Sequence, residues 1–211
     1  MMRIEKVTAQ PDRAGRYTVK FEDGTSMRLY RQTVEDFCLY AGKEMEADEV
    51  SKLREAAGQM SAKMRAVRIV SASSVSKADL ERRLVEKGER KRDAQQAVAW
   101  MSDLDLLDDR KTAEQVVSRC ISKGYGLARA KQALYEKRIP RDYWDEALAD
   151  YPDQTERILE FLQVKLGNHW EQQDLRRATD ALLRRGHSYQ EIRRALQVFS
   201  ESGDLREDFY E

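Results

Sequence analysis

The stretch Ser76–Trp100, SKADLERRLVEKGERKRDAQQAVAW, predicts two short helices with a break at Gly88. Leu80 and Leu84 stand four residues apart on one face with Val85 beside them. Arg82, Arg83 and Glu86 fill the intervening positions, as an amphipathic helix requires. Ser76 can cap the first free N–H groups, with Asp79 as a weaker form of the capping-box acid. Gly88 can take the left-handed conformation that ends a helix. A second helix then carries Ala94, Ala97, Val98 and Met101 inward.

The pattern returns twice down the chain. An offset of 50 residues pairs Leu84 with Leu134, Lys87 with Lys137, Ala97 with Ala147 and Val98 with Leu148. A further 48 residues bring in Leu182, Arg185, Ala195 and Leu196. The spacing survives two substitutions of the turn, since Gly88 becomes Arg138 and then Gly186. Chance similarity between amphipathic helices is the plainer account of so degenerate a match. The near-constant period instead reads as a repeat of stacked helical units.

Residues 3–32 follow a different period. Ile4 and Val7, then Tyr17, Val19 and Phe21, then Met27 and Leu29 predict three strands with alternating burial. Pro11–Gly15 and Glu22–Thr25 supply the turns. Phe37, Leu39 and Tyr40 are expected to cover one face of this sheet, and Gly42-Lys43-Glu44 reads as a turn. From about Asp48, Leu53, Ala57, Met60, Met64 and Val67 give a helical stripe, and SASSV (71–75) a polar joint. Ala113, Val116, Val117, Cys120 and Ile121 begin the second repeat, whose first helix Gly124-Tyr125-Gly126 ends. Pro140 fits the first turn of that repeat's third helix. Tyr151-Pro152 breaks into the third repeat, where Ser188-Tyr189-Gln190-Glu191 is a full capping box before Ile192, Leu196 and Phe199. The acidic end is expected to fray, with Phe209 and Tyr210 able to tuck back. The expected fold is therefore mainly α. Three tandem three-helix repeats form an extended curved array preceded by a small β-sheet domain. The segments are 1–46 (β-rich), 47–108, 109–152, and 153–211 with an acidic tail.

Bulk composition suits small helical units. Of 211 residues, 41% are apolar and 36% charged, which favours much exposed surface over one deep core. Lys plus Arg (38) equals Asp plus Glu (38), so no net field draws the chain to nucleic acid or membrane. Locally the charges segregate. Arg82, Arg83, Lys87, Arg90, Lys91 and Arg92 crowd one turn, and Arg176, Arg177, Arg184, Arg185, Arg193 and Arg194 another, while acids gather in Asp103–Asp109 and after Glu201. Such segregation suits a partner of mixed charge, such as protein on nucleic acid. Cys38 and Cys120 lack a metal-ligand spacing and read as reduced thiols packed as small apolar groups. No apolar leader and no run of about 20 apolar residues is present, so a soluble, cytoplasmic protein is expected.

No motif points to catalysis. His169 and His187 are the only histidines, each isolated near a helix end, and Cys120 lies on an apolar stripe. With no Gly-rich phosphate loop, paired carboxylates or zinc spacing, the chain reads as a non-enzyme without cofactor or metal. Two features could carry binding. The basic clusters are one, against the simpler account that Glu81, Glu86, Glu89 and Asp93 pair with neighbouring arginines on a solvated face. The aromatics Tyr125, Tyr135, Tyr143, Trp144, Trp170 and Tyr189 are the other, with Trp144 and Trp170 the expected core anchors.

The ordered set of motifs resembles the RecX family, bacterial regulators of the RecA recombinase. Its matching residues begin with Ser76, Asp79, Leu80, Leu84, Lys87 and Gly88, followed by Leu106-Leu107-Asp108-Asp109. The second repeat contributes Lys123-Gly124, Ala130, Leu134, Lys137, Ile139-Pro140 and Ala147-Leu148. The third contributes Leu182–Gly186, Tyr189, Ile192 and Ala195-Leu196. Ile4–Val7, Tyr17, Phe21–Gly24 and Gly42–Glu44 look like the β-rich extension that some members carry, so the likeness covers nearly the whole chain. Thr112 departs where an aromatic often precedes Ala113, and Arg138 where glycine is usual. The resemblance implies a non-enzymatic protein, expected here as a monomer. It would lie along the RecA filament on single-stranded DNA and modulate, usually inhibit, filament growth, ATP hydrolysis and strand exchange. It would thereby act in homologous recombination, DNA repair and the SOS response. Weak direct nucleic-acid binding is expected alongside, and no membrane partner. Arg83 with Lys87, and Arg184 with Arg185, are the expected contacts. Two other readings fit the bare periodicity: a helical nucleic-acid-binding module acting without RecA, and a helical protein-interaction scaffold.

Overall fold

A computed structural model describes residues 1–167 and 170–207, with side chains through residue 201. His169, Phe209 and Tyr210 lie outside the described residues. The chain forms two compact units, Met1–Leu107 and Asp108–Glu211.

The first unit opens with an antiparallel sheet. Strands β1 (Met2–Val7), β2 (Arg16–Phe21), β3 (Ser26–Tyr30) and β4 (Glu44–Met45) lie in the order β3-β2-β1-β4, and a short helix α1 (Arg31–Asp36) leads from β3 toward β4. The alternation read from the sequence appears as burial of Ile4, Val19, Phe21 and Leu29 on the inner face. The fourth strand was not anticipated. Glu44, expected to close a turn, pairs with Arg3, and Met45 pairs with Met2 and is buried in the sheet's core. Two residues are too few to show a period of 2, and only the partner strand defines them. Leu39 covers the sheet as expected, but Tyr40 is 62% exposed and Cys38 is also exposed. The reason is local: Cys38 takes the left-handed position that ends α1 (φ 45°), which turns Leu39 inward and its neighbours out.

Helix α2 (Ala47–Ala72) serves two cores. Val50 and Leu53 pack on the sheet, while Ala62 and Ala66 pack on α3 (Lys77–Glu86) and α4 (Lys91–Asp103). The expected stripe is displaced in this second half: Met60, Met64 and Val67 are half-buried, and the alanines are fully enclosed. Ala62 and Ala66 share their cluster with Ala94 and Ala97, and small residues on both helices permit a close approach. Val75 and Ser76, read as part of and next to a polar joint, are buried as well. Ser76 accepts a hydrogen bond from the Asp79 N–H at 3.0 Å, the N-cap the sequence predicts.

The second unit begins with α5 (Asp109–Ser122), α6 (Leu127–Glu136), a 3-10 turn (Arg141–Tyr143) and α7 (Trp144–Leu148). Pro140 precedes that turn and stands outside the five-residue α7; the Trp144 indole N–H anchors the helix by donating to the Ile139 carbonyl at 3.0 Å. Then come α8 (Thr155–Leu166), α9 (Gln172–Arg184) and α10 (Tyr189–Glu207). The Ser188–Glu191 capping box forms in both directions, at 2.6 and 3.2 Å. Helix α10 runs on to Glu207, into the stretch expected to fray.

The equivalence drawn from the repeat offsets holds in the packing. Leu84, Leu134 and Leu182 are all buried within their own clusters. The turn after each is also built alike. Gly88, Arg138 and Gly186 have φ of 92°, 53° and 86°, and the next residue donates its N–H back to Leu84, Leu134 or Leu182 respectively. Arg138 thus holds a left-handed position that glycine fills in the other two groups.

Candidate functional site

The basic residues singled out from the sequence lie in two separate places with different electrostatics. On α3 and α4 the guanidiniums are paired with acids of their own unit, although Arg90 and Arg92 remain largely exposed. Asp79, only 1% exposed, takes Arg82 on one carboxylate oxygen at 2.6 Å and Arg83 on the other at 2.9 Å. Arg82 also reaches Glu86 at 2.6 Å, so Asp79 first and Glu86 second hold its guanidinium more firmly protonated. Arg90 forms a fork with buried Asp93, at 2.7 and 3.2 Å. That pair packs on the α2 backbone, where a Cβ added at Gly58 would stand 2.7 Å from both partners. Arg92 meets Glu55 of α2 at 3.1 Å. Lys87 and Lys91 are exposed, and their side chains make no ion pair or hydrogen bond among the described residues.

Pairing on this face was anticipated, but not its principal acid. Asp79 was read as a capping acid, whereas its carboxylate is the buried centre that Arg82 and Arg83 share. Glu89 was expected to pair along its own helix; it instead takes Arg65 at 2.7 Å and Ser61 at 2.9 Å, both from α2. Glu81 accepts from Gln95 at 3.1 Å.

On α9 and α10 the balance is reversed. Arg176, Arg184, Arg193 and Arg194 are exposed, and their side chains make no ion pair or hydrogen bond among the described residues. Arg177 has a long contact with Asp174, at 3.6 Å. Arg185 lies over the Phe161 ring at 4.6 Å, a cation–π contact that ties it to α8. Exposed Leu183 and Tyr189 (68%) accompany these arginines. The arrangement offers cationic groups beside an aromatic and an aliphatic side chain, which suits an acidic or phosphate-bearing partner surface with some apolar content.

The aromatics divide similarly. Trp144 is half-buried against the α5–α7 core as expected. Trp170, expected as a core anchor, is 43% exposed, because it precedes α9 on the segment between helices and enters no cluster. Tyr125 contributes its backbone to a joint within the second unit: the Tyr151 hydroxyl donates to the Tyr125 carbonyl at 2.6 Å. Burial pushes the Tyr151 phenol up to about 12. His187, read as structural or surface, is buried at the same joint, with Nε2 3.1 Å from the Gly124 carbonyl. Cys120 is buried as expected, and burial raises its thiol pKa. Among the described residues no group of three or more His, Cys, Asp or Glu is placed to hold a metal, and no helix is long and apolar enough to cross a membrane.

Comparison with known proteins agrees across sequence and fold. Residues 108–148 match the family model described as RecX, second three-helix domain. Regulatory protein RecX of Vibrio campbellii is 27% identical over 145 residues, covering 67% of this chain and 94% of its own. Regulatory protein RecX of Cronobacter sakazakii is 34% identical over 96 residues, covering 41% of this chain and 58% of its own. A crystal structure of regulatory protein RecX superposes with a TM-score of 0.60 at 19% identity, covering 95% of this chain and 100% of that one. That of RecX from Lactobacillus salivarius gives 0.57 at 22% identity, covering 69% and 98%.

Proposed function

Because the chain belongs to the RecX family of regulatory proteins, we propose that it is a non-enzymatic regulator that binds the RecA filament on single-stranded DNA. It modulates, in the inhibitory direction, filament growth, ATP hydrolysis and strand exchange. It acts as a cytoplasmic monomer, with 1–46, 47–108, 109–152 and 153–211 as its modules. The observation that carries this reading is the set of exposed arginines on α9 and α10 that have no ion pair among the described residues, on a chain whose Lys plus Arg equals its Asp plus Glu. Bare DNA would meet the carboxylates elsewhere on the chain without compensation. A protein-coated strand offers both signs of charge. Lys87 and Lys91 are the α3–α4 residues available to join this contact, since Arg82, Arg83, Arg90 and Arg92 already neutralise acids of their own unit.

The same arginines favour one competing reading, a module that grips DNA phosphates directly. An anisotropy titration on labelled single-stranded DNA separates the two, run with and without RecA and a slowly hydrolysed ATP analogue. The regulator binds the coated strand much more tightly than the bare one at physiological salt. A phosphate-gripping module binds bare DNA as well, and with six to ten contacts loses about 10³–10⁵ in affinity between 50 and 200 mM salt.

A further inference from the structure

The joint between α5–α7 and α8–α10 has the properties of a chemical switch. Two hydrogen bonds cross it from the start of α6 to the turn after α9: the Gly126 N–H donates to the Arg185 carbonyl at 3.0 Å, and the Ala128 N–H to the Gly186 carbonyl at 3.2 Å. The backbones touch there. A Cβ at Gly126 would stand 2.1 Å from the Gly186 oxygen, and one at Gly186 would stand 2.2 Å from the Arg129 nitrogen. His187 follows directly and is 4% exposed. Its Nε2 faces the Gly124 carbonyl at 3.1 Å. A carbonyl only accepts, so Nε2 carries the proton and Nδ1 is left as a lone-pair acceptor. Nδ1 is buried without a hydrogen-bond partner among the described residues.

We propose that His187 is a proton-sensitive latch. The neutral imidazole holds Gly124, and with it the start of α6, against the turn between α9 and α10. Protonation releases that joint, and so changes how the basic face of α9 and α10 is presented next to α5–α7. A second proton on the ring creates a charged N–H at Nδ1, where no acceptor stands among the described residues, and burying a charge unpaired is strongly unfavourable. The surrounding charges do not rescue it. Among the described residues Glu191 is the acid acting on the ring, and it is already engaged by the Ser188 N–H at 2.6 Å. Against it stands Arg185 from the end of α9. Arg129 of α6 and Arg157 of α8 pack on the joint's glycines while paired with Glu136 and Glu160. Tyr151 and Cys120 hold the intervening Tyr125 by its backbone and are neutral when protonated. Burial, first among the causes, holds the imidazole below its ordinary value; the Gly124 hydrogen bond and Glu191 oppose it in part. The sign follows: the unfolded chain binds the proton more readily. The latch is complete above about pH 6.5 and weakens as pH falls from there through the lower folded value.

The test reads the whole protein by NMR, with hydrogen exchange corrected for the intrinsic rate. The expected result is an imidazole titration below 6.5. Protection of the Gly126 and Ala128 amides should fall about threefold or more between pH 7.5 and 5.5, toward the roughly tenfold ceiling that one proton allows, while core amides of α3 hold. His187→Gln keeps a side-chain donor that does not titrate, and its protection stays flat over that range. A wild-type His187 titrating at or above 6.5 overturns the proposal without recourse to any variant. Equal loss of protection in wild type and His187→Gln overturns it as well.

Discussion

Arg83 places Nη2 2.9 Å from an oxygen of Asp79, a carboxylate with 1% of its side chain exposed, while Arg82 holds the other oxygen at 2.6 Å. A residue that looks like a surface cation in the sequence is thus a partner to a buried charge. Arg83→Glu therefore sets two carboxylates against each other in a desolvated place, and should cost about 3–5 kcal/mol, the range for breaking a buried pair. Lys87→Glu, one turn on and unpaired, should stay within about 0.5 kcal/mol. Urea unfolding of both variants checks this. Equal stabilities would remove Asp79 from its central role.

Arg138 carries the second prediction. A side chain at φ 53° crowds the following carbonyl, which Gly88 and Gly186 avoid in the equivalent turns. Arg138→Gly should raise stability by roughly 1 kcal/mol, the relief of strain being partly offset by the freer unfolded chain. Thermal melts should show a higher Tm for this variant.

Much of the fold was legible because it rests on periodicity. The offsets that align Leu84, Leu134 and Leu182 located three equivalent core positions, and the Ser188–Glu191 box located the start of α10. Features set by a partner in space were not legible. β4 is two residues long and is defined by Met2 and Arg3 across from it. Ala62 and Ala66 replace Met60 and Met64 in the core because of what α4 presents to them. For the binding surface, residue type alone could not separate Arg83, tied to Asp79, from Arg184, which is unpaired. The one available signal was Asp79 at i−3 and i−4 to Arg82 and Arg83. The α6 joint had a signal as well. Gly126 stands two residues beyond Gly124, which already ends α5, so helix termination does not explain it.

Gly126→Ala tests that joint. The added Cβ would meet backbone, the Gly186 carbonyl, at 2.1 Å, so α6 or the α9–α10 turn must shift. The expected cost is roughly 1–3 kcal/mol, with loss of amide protection at Ala128. An unchanged exchange pattern would show that the two backbones do not meet as described.

The repeat equivalence makes a prediction in triplicate. Leu84→Ala, Leu134→Ala and Leu182→Ala each remove a buried side chain from a separate cluster, and each should cost roughly 2–5 kcal/mol. Calorimetry on the three variants provides the comparison. A melting temperature unchanged from wild type in all three would disprove the helical register.

The central claim is that unpaired arginines of α9 and α10 bring this chain to a RecA-coated strand. Its most direct test is one anisotropy titration comparing wild type with a variant carrying Arg176→Glu, Arg184→Glu, Arg193→Glu and Arg194→Glu. Labelled single-stranded DNA is used bare and coated with RecA, at physiological salt. The account predicts tight wild-type binding to the coated strand, weak binding to the bare one, and at least tenfold loss on the coated strand for the variant at little change in melting temperature. Equal wild-type affinity for the two strands, or a variant that binds the filament as wild type does, would contradict it.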